Sequence, residues 1–309
     1  MKYLDQTFQN TANDIFSMQN EDFLLKCNVA QRSEYSFAKK IKKWETIITL
    51  TAAILSIVAS IIDIEIFNAI SGLFAIAVLI ANKYIQKSVN FHKKHAASIQ
   101  KYIDVTLFSR ALNGSSLEWG EIPIQSDLSE SIQKYNKADI STLRNWYSNY
   151  STLPIEKQIL FCQKENIRWS DELLKKYRNL HIIVLLTVTI ILLILFFLIN
   201  PTFVKFICII SWIAPLAEYT FSIFEDINNS IVHLRKANEL YNDIERVLES
   251  QDCQSTKKEL INLQYIIQEY RESALLVPDW FYKKYQKVYQ ENENNIAERI
   301  VTQSTESGD

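Results

Sequence analysis

Residues 182–199 read IIVLLTVTIILLILFFLI, with no charge, glycine or proline in the run. A soluble helix needs one apolar stripe, so a run that is apolar all the way round points to lipid. Three further runs are also mostly apolar: 46–62 between Glu45 and Asp63, 66–82 between Glu65 and Lys83, and one that starts near Thr202 and fades near Phe224. Each has about the length needed to cross a hydrocarbon core of roughly 30 Å, and a backbone in lipid must satisfy its own hydrogen bonds, so all should be helices. The alternative is that some runs are buried helices of a soluble bundle, and the 182–199 run argues against it.

The links between the runs set their pairing. Asp63, Ile64 and Glu65 separate the first two, and Asn200 and Pro201 separate the last two. Links this short force antiparallel neighbours, with both hairpin tips on one side. Lys39, Lys40, Lys42 and Lys43 precede the first run, Lys83, Lys87, Lys93 and Lys94 follow the second, and Lys175, Lys176 and Arg178 precede the third, whereas the tips carry no basic residue. The positive-inside tendency then puts both termini and the central region in the cytoplasm. The expected fold is an all-α membrane protein, with two transmembrane helical hairpins and a mostly helical cytoplasmic domain. Its predicted parts are cytoplasmic N-terminal helices (1–45), a first hairpin (46–85), a cytoplasmic insertion that is the candidate sensor (86–179), a second hairpin (180–224), cytoplasmic C-terminal helices (225–300) and a disordered tail (301–309). The first 40 or so residues are polar, so the first run reads as an anchor and not as a signal peptide.

The chain as a whole has the composition of a helical protein, with only four glycines and five prolines. Asn20, Glu21 and Asp22 resemble a helix start, and that helix can run straight into the first span. A second helix should continue from the second span to Asn113 and Gly114, where turn chemistry ends it. LEWGEIPI suggests a short strand or an irregular loop, and helical pattern resumes near Asp127. After the fourth run, Ile227, Ile231, Leu234, Tyr241, Ile244 and Leu248, then Leu260, Leu263, Ile267, Tyr270 and Ala274, recur at near-heptad spacing. This fits a helical hairpin or, alternatively, a coiled-coil oligomer. Pro278 and Asp279 should open a last helix.

Few residues suggest chemistry. Cys27, Cys162, Cys208 and Cys253 lack metal spacing and read as isolated thiols. His92 and His95 fit a basic stripe near lipid headgroups better than a metal site, so no metal and no cofactor is expected. Without a phosphate loop, a nucleophile elbow or an HExxH motif, the chain is not expected to be an enzyme. A net charge of −2 gives no bulk argument for a DNA or RNA partner. Lys205, Glu218 and Asn82 are the polar candidates for a pore or an interhelical contact. Lys205 and Glu218 can equally reach the two interfaces of the bilayer.

Four stretches resemble a known family: NVAQRSEYSFAKK, HAASIQKYIDVTLF, NWYSNYSTLPIEKQILFCQKENIRWSDELLKKY and LLVPDWFYKKYQ. On these the chain is similar to the SMODS-associating four-transmembrane effectors, pore-forming proteins of cyclic-oligonucleotide-based anti-phage signalling (CBASS). It differs from the family's pattern at Lys164 and Ser170, where arginine and aspartate are usual. The resemblance implies an effector whose cytoplasmic domain binds a cyclic di- or oligonucleotide as activating ligand. The four spans then oligomerise or rearrange, as a homo-oligomer in the bilayer, and disrupt the inner membrane, causing abortive infection. A constitutive ion channel or transporter and a membrane-anchored helical scaffold are the rival readings. Phosphates call for Arg or Lys donors, and bases for aromatic or guanidinium planes. Arg144, Trp146, Tyr147, Arg168 and Trp169, with Arg32, Tyr35 and Arg110, are therefore the predicted ligand-binding residues.

Overall fold

The structure, a computed structural model, describes residues 14–62, 64–122, 125–135, 143–199, 203–249 and 253–306. Among these residues every regular element is helical. Eight α-helices follow in order: α1 (Ile15–Met18), α2 (Asp22–Ile62), α3 (Glu65–Ala111), α4 (Gln125–Lys134), α5 (Ile155–Ile199), α6 (Phe203–Glu249), α7 (Cys253–Ser273) and α8 (Asp279–Glu306).

Asp14 caps α1 by accepting from the amides of Phe16 and Ser17 at 3.2 and 3.1 Å, and Asp22 supplies the acid in the first turn of α2. Helix α3 ends at Ala111, just before Asn113 at φ 49°. The chain then makes a 3-10 turn at Ser116–Trp119 where the sequence left a strand open. Gly120, at φ 84°, closes that turn, and a Cβ there would sit 2.3 Å from the Tyr265 hydroxyl.

Helices α2 and α3 are antiparallel partners over their length. Asn82 donates to Thr49 Oγ1 at 2.9 Å, Gln86 to Glu45 Oε1 at 2.9 Å, and His92 Nδ1 lies 2.6 Å from Glu34 Oε2. Helices α5 and α6 also pack together, through Lys164 on Asn238 and over the Tyr241 ring.

These long helices cross the predicted boundaries without a break, and their surfaces change character on the way. In the apolar stretches of α2, α3 and α5, large side chains are exposed: Ile54, Leu73, Ile183 and Phe197 are 59, 68, 61 and 76 % accessible. Among the described residues, only α3 is long and apolar enough to cross a membrane, and 11 % of its apolar window is buried. Trp44 and Tyr84 stand exposed at the ends of two of these stretches, as interfacial aromatics do. The side chains of Lys205, Glu218 and Cys208 lie outside the described residues, as does that of Cys253.

Beyond the apolar stretches, the eight helices form one core. It joins Leu24, Cys27, Ile99, Phe108, Trp119, Tyr147, Ile159, Leu174, Leu234, Ile244, Leu263 and Phe281. Packing of α6 on α7 accounts for the near-heptad pattern. The expected disorder from 301 is corrected: α8 is helical through Glu306, and residues 307–309 lie outside the described residues. Tyr289, Glu293 and Ala297 are buried at i, i+4 spacing, and Ile300 and Val301 continue the stripe onto the core.

Candidate functional site

A cavity of about 1070 Å³ opens among α2, the irregular 143–147 segment, α5, α7 and α8. It sits at the upper end of the ~300–1,000 Å³ common for small-molecule sites. Local hydrogen bonds hold the irregular segment in place. Gln19 donates to the Tyr147 carbonyl at 2.9 Å and accepts from the Tyr147 amide at 2.7 Å. Asn20 pairs in the same reciprocal way with Asn145, whose φ of 55° is one that asparagine tolerates. The loop is thus anchored to the start of α2, leaving Arg144 exposed and Trp146 half-buried at the cavity.

Of the predicted residues, Arg32, Tyr35, Arg144, Trp146, Tyr147 and Trp169 line this cavity. Trp169 also packs between Tyr282 and Tyr289, with ring centroids at 5.6 and 5.3 Å. Arg168 lines a smaller neighbouring cavity of about 210 Å³, and its guanidinium is forked onto the Glu293 carboxylate. Arg110 lies elsewhere, with Nη1 and Nη2 each 2.7 Å from Glu21. Asn82 is remote from both cavities and donates to Thr49.

Several lining residues were not singled out from the sequence. Lys39, Arg271, Lys283 and Lys287 add to Arg32 and Arg144, against Glu165, Asp279 and Glu293, so cations outnumber carboxylates on the walls. Lys39 pairs with Asp279 at 2.8 Å and lies 5.6 Å over the Tyr282 ring. Burial pushes the Tyr282 phenol up to about 12, so it is a neutral hydroxyl at physiological pH.

Two buried acids organise the floor. Glu165 accepts from the Ser148 amide at 3.2 Å and from the Tyr150 hydroxyl at 2.9 Å. Burial dominates those bonds and raises its carboxyl to about 7. Asp104 accepts from the Tyr147 hydroxyl on Oδ1 at 2.8 Å, and on Oδ2 from Gln264 at 2.8 Å and Arg271 Nη1 at 2.6 Å. Asn166 donates to the same Tyr147 hydroxyl at 2.9 Å. Although burial opposes its charge, Asp104 holds the Arg271 pKa above its usual value.

At the edge facing the apolar stretches, Glu34 joins three helices. It accepts from the Tyr135 hydroxyl at 2.8 Å, contacts Lys134 at 3.3 Å and faces His92. Despite the opposing effect of burial, these partners lower its pKa. His95 instead meets the Ser131 hydroxyl, at 2.7 Å. Lys93 donates to the carbonyls of Ser273 and Ala274, both at 3.3 Å, and so binds α3 to the negative end of α7 beside the cavity.

Lys164 stands where the resemblance leads one to expect arginine. It donates to Asn238 and lies 3.9 Å over Tyr241, outside the cavity wall. Ser170 lines the cavity. No curated protein and no solved structure shows significant similarity to the chain. Residues 13–300, however, match the family model described as the SMODS-associating 4TM effector domain. That match takes in all four stretches on which the resemblance rests, the helices around the cavity and the exposed apolar segments, and the chain therefore belongs to the SMODS-associating 4TM effector family.

Proposed function

We propose that the chain is a ligand-gated membrane effector of CBASS-type defence. A cyclic di- or oligonucleotide occupies the cavity, and the apolar hairpins then rearrange or assemble to breach the inner membrane of an infected cell. In this reading the four apolar runs span the bilayer, both termini are cytoplasmic and the protein acts as a homo-oligomer by binding, without catalysis.

The observation that carries the proposal is helix continuity. Arg32, Tyr35, Ser36 and Lys39 line the cavity on α2, and Trp169, Leu173 and Leu174 line it on α5. Both helices run on unbroken into exposed apolar segments. At 1.5 Å per residue, Lys39 lies about 10 Å along α2 from the start of the 46–62 run. A ligand that draws α2 and α5 together acts on both hairpins without an intervening loop. The cationic, aromatic walls suit a molecule with phosphates and flat bases.

Dye release from liposomes carrying the full chain, with a panel of cyclic di- and trinucleotides, tests the proposal. Release only with a panel member is the expected result. Release without ligand would make the protein a constitutive channel, and no release under either condition would leave a membrane-anchored scaffold.

A further inference from the structure

Arg271 uses its guanidinium differently from Arg110 and Arg168. Arg110 and Arg168 each close their fork on a carboxylate, Glu21 and Glu293. Arg271 meets Asp104 with Nη1 alone, because Gln264 shares the same Oδ2 and Tyr147 takes Oδ1. Its Nη2 is buried without a hydrogen-bond partner, on a side chain 6 % exposed. A charged donor left unmade in the interior is costly, and native proteins rarely leave one without a use. Arg271 also lines the large cavity.

We infer that Arg271 is the anion anchor of the cavity floor, and that its free Nη2 takes one oxygen of a phosphate or phosphodiester group. Asp104, Gln264 and Tyr147 act as positioning residues. Gln264 and Tyr147 each donate to the Asp104 carboxylate, and that carboxylate accepts from Arg271 Nη1, so that Nη1 is held while Nη2 carries no hydrogen bond. Arg32, Arg144 and Lys39 stand on other walls of the same cavity and can meet further phosphates. The anchor selects for an anion bound deep in the bundle, which a neutral nucleoside lacks. This inference rests on the reading that the cavity is a ligand site, but it names the residue on which recognition depends.

The test uses the full chain in detergent micelles and two probes, inorganic pyrophosphate followed by ³¹P line broadening and the panel of cyclic di- and trinucleotides. Arg271→Lys keeps the charge beside Asp104 but removes Nη2. The double variant Asp104→Asn with Arg271→Gln removes both charges together, so a binding loss there cannot come from a stranded carboxylate. Arg246→Gln, on an exposed pair with Asp243, is the control. At least a tenfold weakening of either probe in both Arg271 variants, with the control unchanged, is the expected result. Unchanged affinity in the variants, or no saturable binding of either probe by the native chain, overturns the anchor. The two readings separate cleanly. Pyrophosphate held through Arg271 with no cyclic nucleotide bound keeps the anchor and removes the nucleotide, whereas a cyclic nucleotide bound equally by native chain and variants does the reverse.

Discussion

The two halves of this molecule solve opposite problems. Along the apolar stretches, large side chains such as Leu73 and Phe197 face outward and the polar groups are few, with Thr51, Thr187 and Thr189 donating to carbonyls one turn earlier. In the bundle the reverse holds: Asp104, Glu165, Gln163, Gln264, Arg271 and Glu293 are buried among aromatics. Aliphatic surface facing out needs an apolar solvent, and ionisable groups facing in need specific partners. The contrast implies that the two halves respond to different substitutions, although single helices join them.

The largest effect is expected at the buried ion pair. Arg271→Ala strands the Asp104 carboxylate in the interior and should cost about 3–5 kcal/mol. The double variant Asp104→Asn with Arg271→Gln should recover most of that loss, as read by thermal or denaturant unfolding of the bundle through tryptophan fluorescence. Equal losses in both would mean that the pair is not stabilised as a unit.

Next is Leu73→Arg, in the middle of the α3 stretch. The side chain is 68 % exposed, so bundle stability should stay within about 0.5 kcal/mol. Partition into liposomes should worsen by about 3 kcal/mol, the cost of a cation near the bilayer centre. A large fall in bundle stability with normal insertion would show that this surface is packed against protein.

Glu165 gives a pH signature that only the bundle should show. Its carboxyl is raised to about 7 from the ordinary 4.5, so between those values the folded chain binds a proton that the unfolded chain has released. Stability therefore falls as pH rises from about 4.5 to 7 and is then flat. Glu165→Gln removes that penalty. It should leave stability at pH 5 little changed and raise it at pH 8, by on the order of 3 kcal/mol at most, on the conversion of ~1.4 kcal/mol per pKa unit. A variant that stabilises equally at both pH values would contradict the assignment. The smallest effect belongs to the apolar half. Asn82→Ala removes the contact to Thr49 and should cost about 0.6 kcal/mol of helix association in lipid, seen as weaker association of the two helices with the bundle unaffected.

The same contrast governs what was legible in the sequence. All-round apolarity marks a segment by itself, so the 46–62, 66–82 and 182–199 runs, with the helices through them, could be read directly. The aromatic and arginine residues chosen for stacking and phosphate contacts do share a place, since six of the eight positions line one cavity. Arg271 could not be read directly, since it is 167 residues from Asp104 and sits in a helix whose pattern speaks only of packing. Asp104, Asp279 and Lys283 lay within stretches already matched to the family, but a charge on a helix looks like a solvated face until its neighbours are known. The tail misled for a related reason. VTQSTESGD, from 301 on, is polar enough to read as disordered, and only Ile300 and Val301, packed onto the core, show what holds the start of it.

The central claim is that cavity occupancy and membrane breach are one coupled event. Nucleotide titrations of binding and of dye release, run side by side on the native chain and Arg271→Lys in liposomes, address it most directly. The account expects both midpoints to shift by the same factor of ten or more. A release curve that stays put while the binding curve moves would contradict it.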